Sequence, residues 1–343
     1  MRRQRATKLA AVLAVAALAV AGCGKSNSGS GTTPKTGPKV GLAYDIGGRG
    51  DKSFNDAAAV GLDKAKTDLK LRIKELSAAP GETDAAKETR LKLLADGGYN
   101  PVIAIGFAYS AALAKVAPKY PNVKFAIIDD LAAKGANISN LVFAENEGSF
   151  LVGAAAALKS KTKNVGFVGG VQVPLIQKFE AGFKAGVAAV DKSTKVQVKY
   201  LTQPPDFTGF NDPAKGKTAA EGMYDGGADI VFAAAGGSGT GVFQAAKAKN
   251  KLAIGVDSDQ YESASADLKP VIMTSMLKRV DIAVFTFIKD FTDGNFKAGP
   301  KVFDLKVDGV GYSKSGGKID DIVSKLDDYK KQIADGKITV PDK

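Results

Sequence analysis

From residue 39 to residue 278 the chain repeats one motif: a short run of mostly apolar residues, then a stretch of helical periodicity. Apolar runs of four to seven residues without polar alternation suit strands buried on both faces, not a sheet with one wet face. Alternation of strand and helix then calls for parallel sheets with right-handed crossovers. The first series is "KVGLAYD", "LRIKEL", "PVIAIGF", "VKFAIID" and "NLVFAE", with helices expected over 53–69, 83–96 and 108–119. The second is "NVGFVGG", "VQVKYL", "DIVFAAA" and "LAIGVD", with helices near 175–190, 213–224 and 241–249. A junction helix over 147–159 carries Gly153 and several alanines, which predicts close packing against a sheet. A further strand, "PVIMTSMLK", an apolar helix over 279–291 and a tail read as a helix with a final short strand complete the pattern. The expected fold class is α/β: two doubly wound parallel-sheet lobes joined by a multi-crossing hinge. Residues 39–143 plus about 278–300 would form the N-terminal lobe, and 144–277 plus about 301–343 the C-terminal lobe.

The first residues follow a different logic. "MRRQRATK" is basic, and "LAAVLAVAALAVAG" is apolar but too short for an ordinary membrane span. It ends in "VAGC", the shape of a bacterial lipobox, so residues 1–22 are expected to be a lipoprotein signal peptide and Cys23 the lipidated residue. Cys23 is the only cysteine, which leaves it no internal disulfide partner. Residues 23–38 are rich in Gly, Ser, Thr and Pro and read as a flexible tether. More than one acyl chain would suffice for stable anchoring. The expected location is the extracytoplasmic face of the cell membrane.

Charge and missing residue types narrow the function. The formal net charge is +12, of which Arg2, Arg3, Arg5 and Lys8 belong to the leader. The remaining excess is lysine spread over helical surfaces, without an Arg-rich cluster interleaved with aromatics, so nucleic acid is not implied. The chain has no histidine and no second cysteine. That removes Ser-His-Asp and Cys-His nucleophile systems, His-based zinc sites and thiolate sites. Carboxylate or lysine chemistry stays open, but no enzyme, cofactor or metal is expected.

Open α/β sheets bind ligands at the carboxyl ends of their strands, and two such ends facing across a hinge make a cleft. Polar and aromatic residues gather there. Asp45, Asp51, Ser53, Phe54 and Asn55 follow the first strand; "GFAYS" follows the third; Asp129 and Asp130 follow the fourth. In the second series come "GGVQVPL", "QPPDFTGFNDP", "AAGGSGTG" and "DSDQ", and the later strand ends in "TSMLKR". "GGSGTG" follows the third strand of its series, where a dinucleotide fingerprint does not belong; Gly236 and Gly237 read better as a close approach for a ligand. The aspartates could hold a hard cation or cap loops, and no EF-hand spacing is present. Phe54 and Phe210 sit in polar turn contexts and could sandwich a flat ring. Arg49, Gly50 and Asp51 form an adhesion-like tripeptide.

"DKSFND", "FAIIDD", "VGFVGG…PLIQKFEAGFKAGV", "GFNDPAKGKTAA", "DIVFAAAGGSGTGVFQAA", "AIGVDSDQ" and "TSMLKRVD" occur in this order behind the lipobox. Over roughly 40–302 the chain resembles the basic membrane protein family of substrate-binding lipoproteins that serve ATP-binding-cassette importers. The resemblance implies a type I periplasmic-binding-protein fold, a purine nucleoside (guanosine, inosine or adenosine) held between two lobes, a membrane permease as partner, and a monomer. It further implies that Phe54 stacks on the purine, with Ser53 beside it, and that Asn55 and Asp129 read the base. Phe210 would cover the opposite face, Gly236 offer backbone contacts, and Asp257 and Lys278 hold ribose hydroxyls. Phe207 competes with Phe210 for the stacking role and Asp130 with Asp129. Another small polar ligand such as a sugar, or a carboxylate-dependent nucleoside hydrolase, stands as the alternative.

Overall fold

The computed structural model describes residues 37–343. The expected signal peptide, most of the tether and Cys23 lie outside the described residues. Among the described residues, twelve strands and ten α-helices follow the expected order. The first series is β1 (Lys39–Ala43), α1 (Phe54–Asp68), β2 (Arg72–Leu76), α2 (Asp84–Asp96), β3 (Val102–Ala104), α3 (Ser110–Val116), β4 (Phe125–Ile128) and β5 (Ile138–Phe143). After α4 (Glu145–Lys159) come β6 (Asn164–Val171), α5 (Pro174–Val190), β7 (Lys195–Thr202), α6 (Pro213–Asp225), β8 (Ile230–Ala234), α7 (Gly239–Ala248) and β9 (Leu252–Asp257). The short α8 (Gln260–Ser263), β10 (Ile272–Lys278), α9 (Val280–Thr292), β11 (Gly299–Phe303), β12 (Val310–Tyr312) and α10 (Val323–Ala334) complete the chain.

The strands form two six-stranded sheets, ordered β11-β5-β4-β3-β1-β2 and β12-β10-β9-β8-β6-β7. Their first five strands share one winding, so each lobe has its own topological switch point, between β1 and β3 and between β6 and β8. All pairings are parallel except β12 against β10. The central strands β3, β4 and β8 are buried along their whole length, as their unbroken apolar runs demand. The chain passes between the sheets three times: through α4, through α9 and between β11 and β12. Strand β11 spans the boundary expected near residue 300 and joins the first sheet whole.

Two local expectations need correction. Gly153 of α4 serves helix–helix packing, since a Cβ there would lie 2.2 Å from the Phe183 carbonyl oxygen of α5. The final strand is not at the tail. It is β12, inside "DGVGYS", while the terminal "ITVP" is held by Asn146, whose Nδ2 donates to the Val340 carbonyl at 2.8 Å. Pro341 has no N–H with which to extend a ladder.

Candidate functional site

The strand ends of both sheets converge on one cavity of about 580 Å³, solvent-open margin included. Phe54, Asn55, Asp129, Phe210, Gly236, Asp257 and Lys278 all line it. Ser53 does not. Its Oγ donates to Asp257 Oδ2 at 2.6 Å, so it orients a lining carboxylate from the opposite lobe.

The loop between β1 and α1 is organised by Asp51. Its carboxylate accepts from the backbone N–H groups of Ser53, Asn55 and Asp56 and from Asn55 Nδ2, satisfying the open N-terminus of α1. Asp51 is only 8% exposed, and Arg49 is paired with Asp63 and Glu75. The adhesion-like tripeptide therefore presents no free carboxylate at the surface. Asn55 is also engaged: its Nδ2 donates to Ile46 O and Asp51, and its Oδ1 accepts from the Asp45 N–H. Only acceptor capacity on Oδ1 remains for a ligand.

Asp129 directly follows β4 and Asp257 ends β9, and both adopt left-handed backbone at φ 64°. Aspartate tolerates that conformation better than most residues. Lys278, at the end of β10 and 2% exposed, places Nζ 2.5 Å from Asp129 Oδ2. The ring centroids of Phe54 and Phe143 lie 5.1 Å from the same nitrogen and that of Phe179 lies 5.6 Å away, within cation–π range. Burial opposes the charge on Lys278, yet Asp129, Glu145 and Asp257 hold its pKa above the ordinary lysine value. Burial lifts Asp129 despite Lys278, and it pushes Asp257 up to about 6 against the pull of Lys278 and the Ser53 hydrogen bond. Asp129 Oδ1 has no hydrogen-bond partner among the described residues. Asp130 does not line the cavity; its Oδ2 accepts from the Ala133 N–H and stabilises the following turn.

Phe210 lines the cavity, whereas Phe207 meets Phe107 of the other lobe edge-on, with ring centroids 5.9 Å apart. Gly236 is left-handed at φ 55°, and a Cβ there would lie 2.9 Å from the Phe210 carbonyl oxygen. On the other side of the cavity the lobes are tied by hydrogen bonds to the Lys52 carbonyl from Gln260 Nε2 at 2.8 Å and Ser258 Oγ at 3.0 Å.

Sequence reasoning missed several lining residues. Leu175, Ile176 and Phe179 project from the first turns of α5, directly after β6, and build an apolar wall. Phe107 and Ile46 add to it. The strand-end rule that selected the polar residues applies equally to these apolar ones. Asp45, at the end of β1, was visible by the same rule. Burial lifts it to about 6, opposed first by the Ile46 N–H that its Oδ1 accepts.

Residues 38–343 match the family described as ABC transporter substrate-binding protein PnrA-like, Bmp. The chain belongs to the Bmp family. As a Bmp-family chain it is a substrate-binding protein of ABC transporters. It is 34% identical to the ABC transporter nucleoside-binding protein BmpA of Lactococcus lactis subsp. cremoris, over 99% of this chain and 100% of that one. It is 35% identical to an uncharacterized lipoprotein of Pyrococcus abyssi, over 85% of this chain and 73% of that one. Among solved structures it is similar to an ABC transporter system solute-binding protein from Aeropyrum pernix K1, at 29% identity and a TM-score of 0.76, covering 89% of this chain and 94% of that one. The likeness agrees with the two-sheet α/β architecture and its type I binding-protein fold.

Proposed function

We propose that this Bmp-family protein captures a purine nucleoside between its lobes and presents it, closed, to a membrane permease. The single observation that carries the reading is the lining of one cavity by Phe54 and Phe210 from opposite lobes, with Asp129, Lys278 and Asp257 gathered at a polar end. Two aromatic faces suit a flat heterocycle. A lysine and carboxylates suit vicinal hydroxyls, donating and accepting respectively.

The pairing of Asp129 with Lys278 argues for a change in the expected roles. Both would serve the sugar end, together with Asp257. Base edges would fall to Asp45, whose Oδ2 is unclaimed by hydrogen bonds in the loop, and to the spare capacity of Asn55 Oδ1. Phe210 is favoured over Phe207 as the second stacking ring.

A sugar alone would engage the polar end of the cavity but offers no flat heterocycle for Phe54 and Phe210 to sandwich. The acid pair of "DSDQ", the sequence's nearest approach to a hydrolase's carboxylate loop, is split: Asp257 lines the cavity, whereas Asp259 accepts from Ser313 and Ser315 and does not. We also infer lipid anchoring through Cys23, supported by the lipobox and by the lipoprotein relative. Calorimetric titration of the full-length protein in detergent with guanosine, inosine, adenosine and ribose tests the assignment. Tight binding of a nucleoside and none of ribose is expected. Absence of nucleoside binding defeats the proposal, and release of free nucleobase during incubation favours the hydrolase.

A further inference from the structure

Glu145 opens α4, the first of the three passages between lobes, and is 1% exposed. It does not line the cavity. Neither carboxylate oxygen accepts a hydrogen bond from another described residue. A carboxylate buried in this way is costly unless a charge compensates it. Its compensation comes from Lys278, whose Nζ lies 3.3 Å from Oε1, and more weakly from the half-exposed Lys178 of α5, 3.8 Å from Oε2. An acid that served only the dipole of α4 would gain as much at the surface and would need no such burial.

We propose that Glu145 is a positioning residue for the ligand site, acting on the ligand only through Lys278. It forms the outer half of a two-carboxylate seat, Asp129 the inner half, that fixes the ammonium at the polar end of the cavity. Three aromatic rings close the remaining sides. The groups facing Glu145 are Lys278 from β10, Asp129 from the end of β4 and Lys178 from α5, with Asp257 beyond Lys278. Burial raises the Glu145 carboxyl, and Lys278 opposes the rise most strongly. With Glu145 neutralised, Lys278 keeps Asp129 but loses the partner that sets its direction.

The inference rests on the reading of Lys278 as a contact to ligand hydroxyls, so the experiment separates the two. Guanosine and 2′,3′-dideoxyguanosine are titrated into full-length wild type, Glu145→Gln, Lys278→Met and the double variant, and the same four are unfolded thermally without ligand. Glu145→Gln is expected to weaken guanosine by about tenfold, the loss of roughly one charge-assisted contact, and to leave the dideoxy compound unaffected. It should have no further effect once Lys278 is Met. Without ligand, the two substitutions should be less damaging together than the sum of their separate effects on Tm. Equal weakening of both compounds, or additive Tm changes, overturns the proposal. If wild type binds neither nucleoside, the nucleoside reading falls and the ligand-free cycle alone decides whether Glu145 seats Lys278. Should the Gln variant not fold, Glu145→Asp, which keeps the charge but shortens its reach, takes its place with the same outcomes.

Discussion

Ser53 Oγ donates a 2.6 Å hydrogen bond to Asp257 Oδ2, joining the start of α1 in one lobe to the end of β9 in the other. Both residues are buried. The bond can form only when the lobes are together, so it contributes to the closed form alone. Closure is biased by interactions that differ between the two forms, and this contact is one of them. Ser53→Ala should therefore weaken ligand binding by about ten- to a hundredfold, the value of one hydrogen bond to a carboxylate, with little change in the fold of either lobe. Calorimetry with the preferred nucleoside checks the loss, and an unchanged far-UV spectrum checks the fold.

Asp45 and Asp257 set a pH dependence whose sign can be worked out. Both are lifted to about 6 from ordinary values near 4, burial being the main cause. Between those limits the folded state holds protons that the unfolded chain has released. Their stabilising contribution is complete below about pH 4 and is lost as pH rises through about 6. Asp45→Asn combined with Asp257→Asn removes both titrations. The variant should gain Tm relative to wild type as pH is raised from 4 to 7, by up to ~3 kcal/mol of stability per group. A constant difference across that range would contradict the assignment.

The two candidate stacking rings are separable. Phe54→Ala and Phe210→Ala should each weaken nucleoside binding by about ten- to a hundredfold, matching ~1–3 kcal/mol per stacked base. Phe207→Ala should affect the dissociation rate more than the equilibrium, because Phe207 contacts Phe107 across the lobes and stays outside the cavity lining. Stopped-flow displacement alongside calorimetry distinguishes the two outcomes.

Lys278 should matter to folding as well as to binding. Lys278→Met leaves Asp129 and Glu145 buried without their main cation, an arrangement that typically costs about 3–5 kcal/mol. Denaturant unfolding at pH 7 should show that loss, and it should shrink at pH 4 as the carboxyls take up protons. Asp129→Asn should weaken binding with a smaller loss of stability, since Glu145 still faces the ammonium.

Gly236→Ala tests the approach of backbone to ligand. The position is left-handed and faces the Phe210 carbonyl, so any side chain must strain the loop by about 1–2 kcal/mol and displace Phe210. Weakened binding with a modestly lowered Tm is expected, read by the same calorimetry and thermal scan.

The sequence by itself determined the sheets, the winding of the lobes and the set of strand ends that meet at the cavity. Unbroken apolar runs can be satisfied only by strands covered on both faces, and ligands gather where such strands end. Phe54, Asp129, Phe210, Asp257 and Lys278 were legible for that reason. The apolar wall of Leu175, Ile176 and Phe179 was less so, because apolar residues near a helix start look the same whether they face a core or a cavity.

Only the tertiary structure decided how the polar groups divide among themselves. Hydrogen-bond capacity and charge pairing depend on distances between residues far apart in the chain. That is why Asn55 turned out to be used within its own loop, Ser53 to hold Asp257, and Asp130 to support a turn beside the lining Asp129. The same holds for β12, whose three residues carry little pattern and pair only because β10 offers a free edge. Glu145 is the plainest case: one of two acids at the start of an Ala-rich helix, whose significance comes from a lysine 133 residues later. A pattern of local spacing records which residues face the core, but compensation of a buried charge is settled by whatever the fold brings beside it.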